Sequence, residues 1–249
     1  MASKRDPLAA ARRRIIVAVD VSSRQEALRL VAQLHGRAEM VKVGSQLFTA
    51  AGPTVVRELV ERGERVFLDL KFHDIPHIVA EACATAARLG VSLLTAHAAG
   101  GPAMLRAARE SLEQHSGRRR RTRLLGVTLL TSLSTREVAR VGFPGSVERN
   151  VVRLAKLAQR SGCDGVIAAP TDVRAIRRAC GSDFLVVTPG VRLTGGRRAA
   201  DQARVATAAE AIRAGADYIV VGRAVLEARS PARALEQLAR EIRAELERA

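Results

Sequence analysis

The segment Val66-Phe67-Leu68-Asp69-Leu70-Lys71-Phe72-His73-Asp74-Ile75-Pro76 sets a carboxylate and an ammonium two residues apart in an otherwise apolar run. On a strand, side chains two apart share a face, so Asp69 and Lys71 point the same way. Burying an isolated charge is very costly; the two must be paired or functional. Unit charges about 4 Å apart attract by roughly 4 kcal/mol at an effective dielectric of about 20. Lys42, in a neighbouring apolar run, offers Asp69 a second attraction of this kind. A structural ion-pair tie is one reading, and a site that works through fixed charges is the other. The chain has four lysines (Lys4, Lys42, Lys71, Lys156) among 41 basic residues. That two of the four fall at adjacent strand ends favours the functional reading.

The elements that would position these charges alternate along the chain. Strand-like runs stand at Ile15–Val19, Met40–Val43, Arg65–Leu70, Val91–Thr95, Leu124–Leu129, Gly165–Ala168, Phe184–Thr188 and Tyr218–Val221. Between them lie helically spaced apolar residues such as Ala27, Leu28, Val31 and Leu34, a stretch from Ala203 to Ala214, and a last one over Ala232–Leu246. Eight strands alternating with helices predict parallel βαβ units. In 249 residues they predict closure into a single-domain (β/α)8 TIM barrel. Such barrels keep their active site at the C-terminal ends of the strands. Polar residues gather there: Asp20, Lys42, Asp69 and Lys71, His97, Thr131 and Ser132, Arg192, and Gly222-Arg223. The barrel is expected over residues 15–249. Residues 1–14 read as a disordered basic lead-in, and 117–123 and 195–200 as loops.

Composition narrows the partners. The net charge of +16 and the run Arg118-Arg119-Arg120-Arg121 raise the possibility of nucleic-acid binding, but aromatic residues make up 2% of the chain and give little to stack on bases. Arginine is abundant throughout, as a chain-wide bias would make it. No apolar run approaches the roughly 18 residues needed to cross a bilayer. Met1–Arg14 lacks the apolar stretch of a secretory signal. Cys83, Cys163 and Cys180 form no CxxC pair, which fits buried thiols in a reducing cytoplasm. Neither membrane nor nucleic acid is expected as a partner.

Asp69-Leu70-Lys71-Phe72-His73-Asp74-Ile75-Pro76 resembles the signature of the orotidine 5′-phosphate decarboxylases. The resemblance runs from Ile16-Val17-Ala18-Val19-Asp20 to Ile219-Val220-Val221-Gly222-Arg223. Val41-Lys42-Val43-Gly44, His97-Ala98-Ala99-Gly100-Gly101, Leu130-Thr131-Ser132, Thr188-Pro189-Gly190-Val191-Arg192 and Asp201-Gln202-Ala203-Arg204-Val205 lie between, in order. The resemblance implies decarboxylation of orotidine 5′-phosphate to uridine 5′-phosphate with no cofactor and no metal. It puts Asp69 beside the departing carboxylate and makes Lys71 the general acid at C6. Lys42 and Asp74 complete an alternating Lys-Asp-Lys-Asp array. Asp69 could act by repelling the substrate carboxylate or by holding its neighbours charged, and both stay open at this level. Asp20 and Lys42 resemble the ribose contacts, Thr131 and Ser132 the pyrimidine contacts, and Gln202, Gly222 and Arg223 the phosphate grip, which Arg192 joins; Ile75 is a further substrate contact. The resemblance also implies a homodimer in which Asp74 serves the neighbouring site. One departure is Ile78, where the family usually has threonine, which puts that one nucleotide contact in doubt.

Two other chemistries are weighed against this. His73 and His77 are four apart, as metal ligands on a helix would be, but no glutamate follows His73 to make a HExxH motif. His97 reads as a hydrogen-bonded structural histidine before a general base. Related barrels that act on sugar phosphates share an Asp-x-Lys-x-x-Asp on the third strand, but they use magnesium and an acidic residue on the second strand. Lys42 there opposes cation binding.

Overall fold

Short β-branched and aliphatic runs separated by amphipathic segments close on themselves. The computed structural model describes residues 6–117, 121–193 and 206–248. Its strands are β1 (Ile15–Ala18), β2 (Met40–Gly44), β3 (Val66–Phe72), β4 (Leu93–His97), β5 (Arg123–Val127), β6 (Gly165–Ile167), β7 (Leu185–Thr188), β8 (Val191–Arg192), β9 (Ala206–Thr207) and β10 (Tyr218–Val221). The helices are α1 (Pro7–Arg12), α2 (Arg24–Leu34), α3 (Ser45–Glu61), α4 (Pro76–Arg88), α5 (Gly101–His115), α6 (Thr135–Arg140), α7 (Val147–Arg160), α8 (Val173–Cys180), α9 (Ala208–Arg213), α10 (Arg223–Leu226) and α11 (Pro231–Leu246). Strands β1 to β7 and β10 form a closed parallel barrel in the order β1-β10-β7-β6-β5-β4-β3-β2, and β8 pairs with β9 beside it. The eight expected strands are the eight barrel strands, with ends moved by no more than two residues.

Alternation along the strands sorts their side chains into two cores. Ile16, Met40, Phe67, Leu93, Leu125, Ile167, Val187 and Val220 fill the barrel interior, whereas Ile15, Val41, Leu68, Leu94, Val166, Val186 and Ile219 face the helices. The interior plug is apolar at its base, so charged groups on the same face must lie toward the strands' C-terminal ends.

The structure corrects three expectations. Part of the lead-in is ordered: Asp6 caps α1 through the Leu8 N–H, Pro7 opens the helix, Ala11 is buried, and Arg12 pairs with Glu236 of α11 at 2.7 Å. The helix expected from Ala203 is seen over Ala208–Arg213, started by a capping box between Thr207 and Glu210; residues 203–205 lie outside the described residues. Of the expected loops, Arg118–Arg120 and residues 195–200 also lie outside them, and Arg123 already opens β5. Cys83 and Cys163 are buried, and burial pushes each thiol up to about 12. Cys180 is only half-buried. No described helix is long and apolar enough to cross a membrane.

Several arginines have structural partners. Asp164, ahead of β6, accepts the Leu124 N–H at 2.8 Å and binds Arg109 and Arg121, each at 3.1 Å. The Arg109 side chain is 8% exposed, so Asp164→Ala strips a buried guanidinium of its inter-element partner while Glu113 remains. The expected loss is about 3 kcal/mol, a fall of roughly 6–12 °C in thermal midpoint for a domain of this size. A melting curve shifted by less than 2 °C would show that the tie carries no such load.

Candidate active site

The last residues of β3 leave the regular ladder. Leu68 opposes Leu94 and Phe72 opposes Ala96, so four steps of β3 match two of β4. Within this bulge Lys71 has φ 52°, in the left-handed region, a conformation that costs a residue with a Cβ roughly 1–2 kcal/mol. Bulges of this kind re-aim side chains beside active sites. Here the bulge brings the Lys71 Nζ to 2.9 Å from both Asp69 oxygens. The two residues converge as the spacing predicts, but through a bulge rather than through simple alternation.

From Asp69 the charges run on without a gap. Lys42 Nζ lies 3.7 Å from Asp69 Oδ2 and 3.1 Å from Asp20 Oδ1, giving a row Asp20–Lys42–Asp69–Lys71 across β1, β2 and β3. Exposure rises outward: the Lys42 and Asp69 side chains are 11% exposed, Lys71 34% and Asp20 44%. Opposite charges alternate along the row, so each member lies beside a group of opposite sign. The expected row had Asp74 as its fourth member. Within one chain Asp20 instead extends the row at its Lys42 end. Asp74 is exposed, does not line the cavity described below, and accepts its neighbour Ile75's N–H at 2.7 Å.

Gly44 explains the small residue after β2. A Cβ there would stand 2.8 Å from Lys42 Nζ and 3.3 Å from Asp20 Oδ1. A side chain at 44 would push the ammonium off its carboxylate without touching the backbone framework.

The row opens into a cavity of about 970 Å³ at the C-terminal ends of the strands. Asp20, Lys42, Asp69, Lys71, Thr131, Arg192, Gly222 and Arg223 all line it, as does Gln46, which sequence reasoning missed. Gln46 lies in the first turn of α3 and donates to Ser22 Oγ at 3.2 Å, tying that helix to the loop that carries Asp20. Its only sequence signal was its place just after the Lys42 strand. The Arg192 Nε is buried with no hydrogen-bond partner among the described residues. Ser132 is exposed and off the wall, one residue beyond buried Thr131. Ile75 is likewise off the wall and exposed, and Gln202 lies outside the described residues.

The histidines separate from the helix-face idea. Helix α4 begins at Pro76, so His73 sits in the preceding turn and does not share a helix face with His77. Its ring stands 5.2 Å from that of His97. Burial, then His73 and Lys71, hold the His97 imidazole below the usual range, and Asp69 pulls weakly the other way.

A closed parallel barrel with a buried lysine–aspartate row at its strand ends defines a class in which fixed charges face a deep cavity. Residues 13–238 match the model of the orotidine 5′-phosphate decarboxylase / HUMPS family, and the chain belongs to that family. It is 50% identical over 236 residues to orotidine 5′-phosphate decarboxylase of Moorella thermoacetica, covering 93% of each chain. It is 47% identical to that of Trichlorobacter lovleyi over 93% of this chain and 96% of the relative. Among solved structures, orotidine 5′-phosphate decarboxylase from Lactobacillus acidophilus superposes with a TM-score of 0.82 at 35% identity, covering 92% of this chain and 99% of that one.

Two predictions follow from this geometry. Gly44→Ala is expected to keep the fold and thermal midpoint nearly unchanged while lowering turnover at least tenfold, because it displaces only the Lys42 ammonium; unaltered turnover would contradict this. For His97, the unfolded chain takes up its proton near the usual value of roughly 6.5 and the folded chain only below that. Stability tied to this group is therefore present above pH 6.5 and falls as pH drops toward the folded value. An NMR titration of the ring should give a midpoint below that of a free histidine; a midpoint above it would reverse the sign.

Proposed function

We propose that this protein decarboxylates orotidine 5′-phosphate to uridine 5′-phosphate, the last step of pyrimidine nucleotide synthesis de novo, without metal or cofactor. The observation that carries the reading is the Asp20–Lys42–Asp69–Lys71 row in a cavity that Arg192, Gly222 and Arg223 also line. A nucleotide has the matching polarity: a phosphate for the arginines, a ribose for Asp20 and Lys42, and a reacting ring for Asp69 and Lys71. The planar guanidinium fork suits phosphate oxygens, and the Arg192 Nε has no hydrogen-bond partner among the described residues. Gln202 joins this grip by family resemblance. Thr131 reads the pyrimidine from the wall, and Ser132 joins it from the same turn.

In the reaction the C6–carboxylate bond breaks, carbon dioxide leaves, and the bonding pair stays on C6. Lys71 lies where that charge develops, and its ammonium donates the proton that forms the C6–H bond. The amine left behind recovers a proton from solvent. Asp69 faces the substrate carboxylate, so their repulsion is relieved as neutral carbon dioxide departs, and its ion pairs keep Lys42 and Lys71 aimed. The groups are fixed before substrate arrives, which is how a site favours the transition state over the ground state.

The sugar-phosphate barrels of the same family would need an acidic group on the second strand to hold a cation. The ammonium of Lys42 stands there between two carboxylates. Nucleic acid is set aside because aromatic residues that could stack on bases make up 2% of the chain. Free cysteines support a reducing, cytoplasmic setting.

The active unit in this reading is a homodimer that shares its sites. Asp74 lies outside its own cavity, and it is followed by Ile75 and Ile78, 63% and 48% exposed. An exposed acid followed by two uncovered isoleucines suits a surface that a second copy covers, with Asp74 and Ile75 delivered to the neighbour's Lys71. Ile78 adds apolar contact there and no hydroxyl for the nucleotide.

Turnover of orotidine 5′-phosphate, followed by ultraviolet absorbance in excess EDTA, tests the activity. The unmodified protein should be active, and Lys71→Ala should lose about 10⁴-fold or more, the combined scale of charge stabilisation and proton donation. Activity that needs added magnesium, or survives in Lys71→Ala, would overturn the assignment. Mixing Lys71→Ala with Asp74→Ala tests the shared site: each hybrid dimer regains one intact site, so random exchange should restore about one quarter of full activity. No recovery after verified exchange would place both residues in one chain's site.

A further inference from the structure

We infer that Thr95 is a positioning residue for the reaction, its buried hydroxyl setting both the Asp69 carboxylate and the backbone of Lys71. This rests on the decarboxylase reading above. Thr95 lies on β4, fully buried, and it does not line the cavity. Its Oγ1 accepts the Lys71 backbone N–H at 2.9 Å and lies 3.0 Å from Asp69 Oδ1. A backbone N–H can only donate, so the hydroxyl must accept from Lys71. Its one proton is thereby directed to Asp69.

This bond meets a need that the bulge creates. The β3–β4 register breaks between Leu68 and Phe72, which takes Lys71 out of regular pairing, and a buried backbone N–H must find a partner elsewhere. Thr95 supplies it from the neighbouring strand and holds Lys71 at φ 52°. The same oxygen fixes the rotation of the Asp69 carboxylate. Asp69 Oδ1 then meets Thr95 and Lys71, while Oδ2 lies toward Lys71 and, at 3.7 Å, toward Lys42. One hydroxyl thus locks the two groups that the proposed chemistry depends on.

Thr95→Val keeps the shape and removes the hydroxyl; Thr95→Ser keeps the hydroxyl and removes a methyl group. Misplacing reacting groups by about 1 Å can cost about 10²-fold. Thr95→Val should therefore lower kcat by 10-fold to 100-fold with KM within about 3-fold, and Thr95→Ser should stay within about 3-fold of the unmodified kcat. If the valine variant does not fold, Thr95→Ala gives the same contrast with serine. A valine variant with unmodified kcat, or a serine variant as impaired as valine, would overturn the inference.

Acylation with acetic anhydride, read by mass spectrometry, tests the positioning without turnover. The Lys71 rate relative to exposed Lys156 should rise several-fold in the valine variant and stay level in the serine variant; an unchanged ratio in valine would overturn it. Inactive unmodified protein would remove the decarboxylase reading alone, and the labelling ratio would still decide whether Thr95 holds Lys71.

Discussion

A carboxylate buried on the inner face of a barrel strand is the constraint around which this molecule is arranged. Asp69, with its side chain 11% exposed, has lost most of its hydration and must be compensated by the protein. Two lysines do this from opposite sides, and each then needs its own neighbour or an opening to solvent. The row Asp20–Lys42–Asp69–Lys71 follows from that requirement, with its buried members in the middle and its freer ones at the ends. Surrounding features serve the same row: Gly44 leaves room for an ammonium, and the β3 bulge turns Lys71 back toward its partner.

The barrel makes this arrangement possible. Parallel closure puts the ends of β1, β2, β3 and β4 side by side, so residues as distant in sequence as Asp20 and Thr95 join one connected row through Lys42 and Asp69. The apolar plug below, from Phe67, Leu93 and their interior neighbours, keeps the floor of the cavity dry and strengthens every electrostatic contact above it. Arg192 and Arg223, after β7 and β10, line the same cavity.

Much of this was legible in the sequence. Asp69 and Lys71 stood out because charges in an apolar strand demand an explanation, and Lys42 because lysine is scarce among so many arginines. Eight short β-branched runs gave the barrel, since strand alternation and helical spacing are strong local signals. What was hidden depended on distant parts of the chain. Asp20 as a charge partner of Lys42 needs the β1–β2 pairing. The bulge at Lys71 needs the β3–β4 register, and so does the role of Thr95, which shares a strand face with His97 but carries no motif. Order in α1 depends on docking to α11, a contact across nearly the whole chain.

The central claim is that the row is pre-set for negative charge at C6, and relative binding tests it most directly. Calorimetry would compare uridine 5′-phosphate with an analogue that carries an anionic oxygen on C6, using the unmodified protein and Lys71→Ala. A site complementary to the charge that develops should bind the anionic analogue at least 10²-fold more tightly than the product, and the preference should collapse in Lys71→Ala. Equal binding of the two ligands by the unmodified protein, or a preference that survives the loss of Lys71, would contradict the account.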